Sequence, residues 1–142
     1  GSTDGEEKEI YYYHKRSAIN TVSKELADKR QTKPRELIKK KTKSLNKIIE
    51  NSPYYNKKIN FMSIDIENHE YDVLKNFNFK KYEIDIIVTE CTDMSQIKLE
   101  TYTQSLKYIL NTNLFKLLEM NGYKLINWVN SDLVFAKKNL DI

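Results

Sequence analysis

Glycine is almost missing from this chain. There are three, and after Gly5 the only one is Gly122. Loops that cradle phosphates or dinucleotides use glycines so that backbone can approach the ligand closely, and no such loop can be written here. Cysteine is scarcer still. The single Cys91 excludes an internal disulfide and any cysteine-rich metal site. It fits a reducing compartment, so a cytoplasmic location is the expectation. No stretch approaches the ~20 apolar residues of a membrane span, and no secretory leader is legible. Arginine is scarce, and neither a basic-aromatic ribonucleoprotein motif nor a zinc finger is present. Nucleic acid and membrane are therefore set aside as partners.

What is present suits one soluble α/β domain. A chain of 142 residues is long enough to bury roughly 68% of its unfolded surface. Hydrophobic residues at 39% and charged residues at 31% exclude a disordered composition. The net charge of +4 comes largely from lysine clusters (Lys39-Lys40-Lys41, Lys57-Lys58 and Lys80-Lys81), which read as solvated faces.

Residues 8–14 are β-prone and read as a strand, 22–29 as a short helix with Thr21 as a candidate N-cap, and 35–43 as a strand. Ser44 can cap a helix with Leu45, Ile48 and Ile49 on one face, ended by Pro53. Residues 59–65 read as a strand and 69–77 as a helix with Val73, Leu74 and Phe77 on one stripe. Glu70 lies on that stripe one turn earlier, so it points towards the sheet rather than to open water. Residues 84–90 are a second near-continuous apolar strand, of the kind that suits parallel sheets covered on both faces. A helix is expected near 100–110. After the interruption at Asn111-Thr112-Asn113, Leu114, Leu117 and Leu118 define another, stopped by Asn121-Gly122. Residues 123–129 and 132–137 form a hairpin about Asn130-Ser131, with Trp128 in core or hairpin packing. This order implies an α/β fold with parallel strands, helices and a C-terminal antiparallel hairpin.

Two apolar strands run into carboxylates: Asp65 and Glu67 close one, Glu90 the other. In open α/β sheets the crevice beyond the carboxyl ends of the strands is where ligands bind. His69 stands beside them with an unperturbed pKa near neutrality.

The segment Ile64-Asp65-Ile66-Glu67-Asn68-His69-Glu70 resembles the "I-D-V-E-G-x-E" signature of FkbM-type methyltransferases. Ser17-Ala18-Ile19-Asn20-Thr21, the run 42–49, Ile86-Ile87-Val88-Thr89-Glu90 and Asn121-Gly122-Tyr123 resemble further elements of that family. The resemblance covers about residues 8–138. It implies a partial Rossmann-like, class I methyltransferase fold and an S-adenosylmethionine-dependent O-methyltransferase acting on a hydroxyl of a sugar or related natural product. The family's glycine-rich cofactor loop has no counterpart, so residues 1–7 read as a tag remnant and flexible lead, and 8–142 as the C-terminal part of one methyltransferase-like domain. Such a fragment binds the cofactor weakly or not at all. Asn68 stands where the family has glycine, and asparagine is the residue that best tolerates a left-handed backbone there.

Methyl transfer from a sulfonium to an oxygen needs the acceptor held in line and a group to take its proton. The candidates are Asp65, Glu67, Glu90 and His69, with Asp65 also a candidate for touching the cofactor. Each has a plainer reading. Asp65 can cap the helix, Glu67 and Glu90 can serve salt bridges, and His69 can be a surface residue of the first turn. Glu70 reads as a structural acid that pairs with backbone amides. Mg²⁺ on the acids is a secondary reading, because their spacing is not a metal motif. Cys91 has nothing to lower its pKa and is not expected to be a nucleophile. Tyr11, Tyr12 and Tyr13 divide between strand faces and read as packing rather than sugar stacking.

An alternative of another class is a non-catalytic methyltransferase-like remnant that works as an interaction or scaffold module. An exposed sheet edge would then support a homo-oligomer.

Overall fold

A computed structural model describes residues 5, 7–12, 36–93 and 105–141, with backbone alone for the strands at 7–12 and 36–40. The expected helix at 22–29, the cap at Thr21, the Ser17–Thr21 element and most of the 91–98 loop lie outside these residues.

Strands β1 (Glu7–Tyr12) and β2 (Glu36–Lys41) pair antiparallel as a two-stranded sheet. Helix α1 (Leu45–Glu50) follows, with the Ser44 hydroxyl accepting from Lys47 N as anticipated. Ile49 is buried and Leu45 packs against the core, but Ile48 is 49% exposed. So short a helix meets the core along one narrow row, and Ile48 falls outside it. The helix stops at the Asn51 cap, two residues before Pro53.

The main sheet has the order β3 (Phe61–Ile64), β4 (Ile86–Glu90), β6 (Asp132–Lys137), β5 (Tyr123–Val129). β3 and β4 are parallel, whereas β4–β6 and β5–β6 are antiparallel. The hairpin falls where expected. Gly122 at φ 86° ends the preceding helix, and Asn130 at φ 55° makes the turn. Trp128 belongs to the hairpin, not the core: it is 36% exposed, and its Nε1 donates to Asn130 O.

Helix α2 spans only Glu70–Leu74, shorter than the expected 69–77. Its continuation is captured by the Asn46 side chain, which donates to Asn76 O at 2.8 Å and accepts from Asn78 N at 2.9 Å. Backbone groups satisfied this way no longer favour another helical turn. Phe77 still reaches the core and stacks on Tyr82. Helices α3 (Leu106–Asn111) and α4 (Asn113–Met120) meet at Thr112, which closes one and caps the other through Phe115 N. Ile109, Leu114 and Leu118 from these helices pack with Ile87, Leu133 and Phe135 of the sheet in one hydrophobic core. The molecule is thus mixed α/β, and β3–β4 is the sole parallel pair among the described residues.

Candidate active site

The parallel register fixes the site. Ile64 pairs with Thr89, so the next residues of the two strands, Asp65 and Glu90, emerge side by side at the carboxyl edge. Their carboxyl groups are close enough to share a proton. Glu70 enters from the first turn of α2, 2% exposed. One carboxylate oxygen from each of Asp65, Glu70 and Glu90 lies within 4.8 Å of the others.

The chain turns from β3 into α2 through two left-handed residues, Glu67 (φ 55°) and Asn68 (φ 68°). Asparagine tolerates that conformation, as expected for position 68. Glu67 adopts it too, which the pattern did not foreshadow. Glu70 Oε1 accepts from Ile66 N at 2.8 Å, so this acid ties the turn shut. Its amide partner matches the structural role read from the sequence, yet its side chain also joins the acid group. His69 sits at the N-cap of α2 without capping it, and its Nδ1 lies 3.8 Å from Asp72 Oδ2.

The electrostatics follow from burial and crowding. Desolvation, the proton shared with Asp65 and the negative charge of Asp65 and Glu70 push the Glu90 carboxyl up to about 7. Thr92 Oγ1, donating to Glu90 Oε1 at 3.4 Å, works weakly against this. Burial also raises Glu70, with its backbone hydrogen bonds opposing. Among the described residues no lysine or arginine forms an ion pair with these three acids. Burial likewise raises the neighbouring Cys91 thiol, to about 11, so it is a protonated wall residue rather than a nucleophile.

The acids open on a cleft of about 450 Å³. Glu90 and Cys91 line it from the end of β4, Asn68, Glu70 and Tyr71 from the turn and α2, and Tyr108, Asn111, Thr112 and Asn113 from the junction of α3 and α4. The Tyr108 hydroxyl donates to Thr92 O at 3.4 Å and joins that junction to the end of β4. Asp65, Glu67 and His69 are not among the lining residues. Tyr71, Thr92, Tyr108 and Asn111 were not singled out in the sequence. The break at 111–113 was the one available signal, and it reads as a loop rather than a wall.

Paired acids at adjacent parallel strand ends, reached through a left-handed turn, are what the signature segment builds. The family profile described as the methyltransferase FkbM domain matches residues 2–125. This chain belongs to the FkbM methyltransferase family. The match takes in the whole acid group and stops within β5, so the central antiparallel strand β6 lies beyond it. No curated protein and no solved structure matches the chain. No helix among the described residues is long and apolar enough to cross a membrane.

Proposed function

We propose that this FkbM-family chain is the acceptor side of an S-adenosylmethionine-dependent O-methyltransferase acting on a hydroxyl of a sugar or related natural product. The observation that supports it most is the convergence of Asp65 and Glu90 from adjacent parallel strands. The sheet order, with the second hairpin strand inserted beside β4, is consistent with the carboxyl-terminal half of a Rossmann-like methyltransferase domain.

S-adenosylmethionine, when bound, supplies an electrophilic methyl group on a cationic sulfur. The donor set suits a cation, since three carboxylates face the site and, among the described residues, no lysine or arginine pairs with them. Asp65 is the most exposed of the three acids, and we assign it to meet the cofactor. The backbone cradle is another matter. Gly5 is hydrogen-bonded to Thr42 beside β2, and Gly122 serves a helix cap, so we assign the cradle to sequence outside these residues.

The acceptor hydroxyl lies in the cleft with its proton directed at Glu90. A carboxylate whose pKa is near the working pH accepts a proton and returns it to solvent with equal ease. Asp65 lies close enough to share that proton and to hold the Glu90 side chain in place. Glu70 fixes the turn that carries Asp65. Glu67 and His69, which lie outside the cleft lining, are assigned supporting roles. Mg²⁺ at the three acids is a secondary assignment, for which they offer oxygen ligands of the right hardness.

Two measurements test the proposal. In the full-length protein, transfer of labelled methyl to hydroxylated acceptors is lost in Asp65→Asn/Glu90→Gln; retention of transfer contradicts the assignment. Calorimetry of residues 1–142 with S-adenosylhomocysteine gives weak binding or none, and micromolar binding means the missing cradle is misjudged.

A second reading, a non-catalytic interaction module, draws on β3 lying at the end of the sheet with Phe61 59% exposed. Self-association through that edge is its signature, and a clean monomer in analytical ultracentrifugation counts against it.

A further inference from the structure

The walls of the acid-lined cleft differ in chemistry. Glu70 and Glu90 bring carboxylates to it. The left-handed turn and the junction of α3 and α4 bring three primary amides, those of Asn68, Asn111 and Asn113. All three asparagines are exposed. Asn111 Nδ2 donates to Lys107 O at 2.8 Å, which steadies that amide and leaves its oxygen unclaimed among the described residues. The side chains of Asn68 and Asn113 make no hydrogen bond among the described residues. Among those residues the lining also holds no lysine, arginine or histidine.

This combination discriminates by charge. A phosphate, sulfate or carboxylate carried into the cleft gives up hydration and meets no cation there. It also faces the carboxylates of Asp65, Glu70 and Glu90, whose oxygens lie within 4.8 Å of one another, and is repelled by them. The start of α4 reaches the cleft as well, but the Thr112 hydroxyl already takes the Phe115 amide there. An uncharged hydroxyl loses far less on entering. A primary amide suits it, because the nitrogen donates two hydrogen bonds and the oxygen accepts two, and neighbouring hydroxyls on a ring use both. A volume of about 450 Å³ falls in the lower part of the range of small-molecule sites, which fits an acceptor of sugar size.

We propose that the cleft selects a sugar-sized polyol free of phosphate, sulfate and carboxylate groups, with the amides of Asn111 and Asn113 holding its hydroxyls and the unpaired carboxylates turning anionic acceptors away. The proposal rests on the methyl-transfer reading for the role of the bound polyol, whereas its selectivity is a matter of binding, so the two can fail separately.

The test is saturation-transfer NMR on the full-length protein. The probes are the methyl glycosides of glucose, galactose and mannose, each against the same glycoside phosphorylated on its primary hydroxyl, at equal ionic strength. At least one neutral glycoside is expected to bind with a dissociation constant on the order of 1 mM, and its phosphate ester about tenfold or more weakly. Asn111→Leu/Asn113→Leu weakens binding of the neutral glycoside about five- to tenfold while the melting temperature holds, since both side chains are exposed. In Asp65→Asn/Glu90→Gln the gap between the neutral and phosphorylated forms narrows. The proposal is overturned if no glycoside binds, if the phosphate ester binds as tightly as its neutral parent, if the gap persists without the acids, or if the amide variant binds like wild type. A glycoside that binds in the expected pattern without being methylated upholds the selectivity and overturns the methyl-transfer reading.

Discussion

At the amino end of the β3–β4 pair Asp85 has Lys58 Nζ at 2.8 Å and Asn60 Nδ2 at 3.2 Å, Lys58 also donates to Glu83 O, and Glu83 has Lys137 at 3.7 Å. At the carboxyl end, a strand-length away, Asp65, Glu70 and Glu90 have one another, one main-chain amide at 2.8 Å and one threonine hydroxyl at 3.4 Å. The residue types match, but only the first set is neutralised. An ion pair at a strand end helps to hold the fold. Three acids crowded together at the opposite end oppose it, because desolvation and like-charge repulsion disfavour the ionised forms. Stability alone therefore accounts for one end and not for the other, and the difference supports the proposed site at the carboxyl end.

The largest expected contrast is in activity. On the proposed function, Asp65→Asn/Glu90→Gln in the full-length protein should lower methyl transfer by about 10²–10⁴-fold, the usual reach of acid–base assistance, without lowering the melting temperature. Asp85→Asn should leave transfer near wild type. If both ends gave equal losses, the division drawn here would be wrong. Next in size is a purely structural change at the amino end. The Tyr123 hydroxyl donates to Ile84 O at 2.5 Å, buried from solvent. Tyr123→Phe leaves that carbonyl short of a partner and should cost about 1–2 kcal/mol in chemical denaturation.

The carboxyl end also makes stability depend on pH. Glu90 binds its proton more tightly folded than unfolded, its carboxyl standing near 7 instead of 4.5. The native state thus holds more protons than the unfolded chain across that window, and stability declines as pH rises from 4.5 through 7. Glu70, raised by burial, adds to the same slope. Glu90→Gln should therefore match wild type below pH 4.5 and exceed it by about 1–2 kcal/mol at pH 8, after allowance for solvent screening. Thermal melts at the two pH values read this directly. A Glu90→Gln protein that is less stable than wild type at pH 8 would show that the ionised carboxylate has a partner the geometry does not reveal. Asp85→Asn removes a half-exposed pair instead and should cost only about 0.5–1 kcal/mol, less in high salt.

Much of this division was legible in the residues. Two apolar runs ending in Asp65 and Glu90 imply parallel neighbours with acids at one edge, since parallel strands bring like ends together. The stripe of Glu70, Val73, Leu74 and Phe77 placed Glu70 inward, and Gly122 and Asn130 marked the hairpin by their tolerance of left-handed backbone. What stayed hidden depends on packing between distant segments. Nothing near residue 75 announces that Asn46 will take the backbone of Asn76 and Asn78 and end α2 early. Tyr108 gains its place only because its hydroxyl reaches Thr92 O across the cleft.

The smallest predicted effect concerns the turn that delivers Asp65. Asn68 is exposed and sits at φ 68°, where a side chain strains against the backbone and glycine does not. Asn68→Gly gives the family's own residue at this position of the signature. It relieves the strain but frees the unfolded chain, so the net gain should be only a few tenths of a kcal/mol. The informative readout is the site. If Asn68 is only a tolerated turn residue, the Glu90 titration followed by carboxyl-carbon NMR should not move, since the Ile66–Glu70 bond and the β3–β4 register are both retained. A Glu90 titration that shifts in Asn68→Gly would mean that the asparagine amide, which lines the cleft, takes part in setting the charge of the carboxyl end.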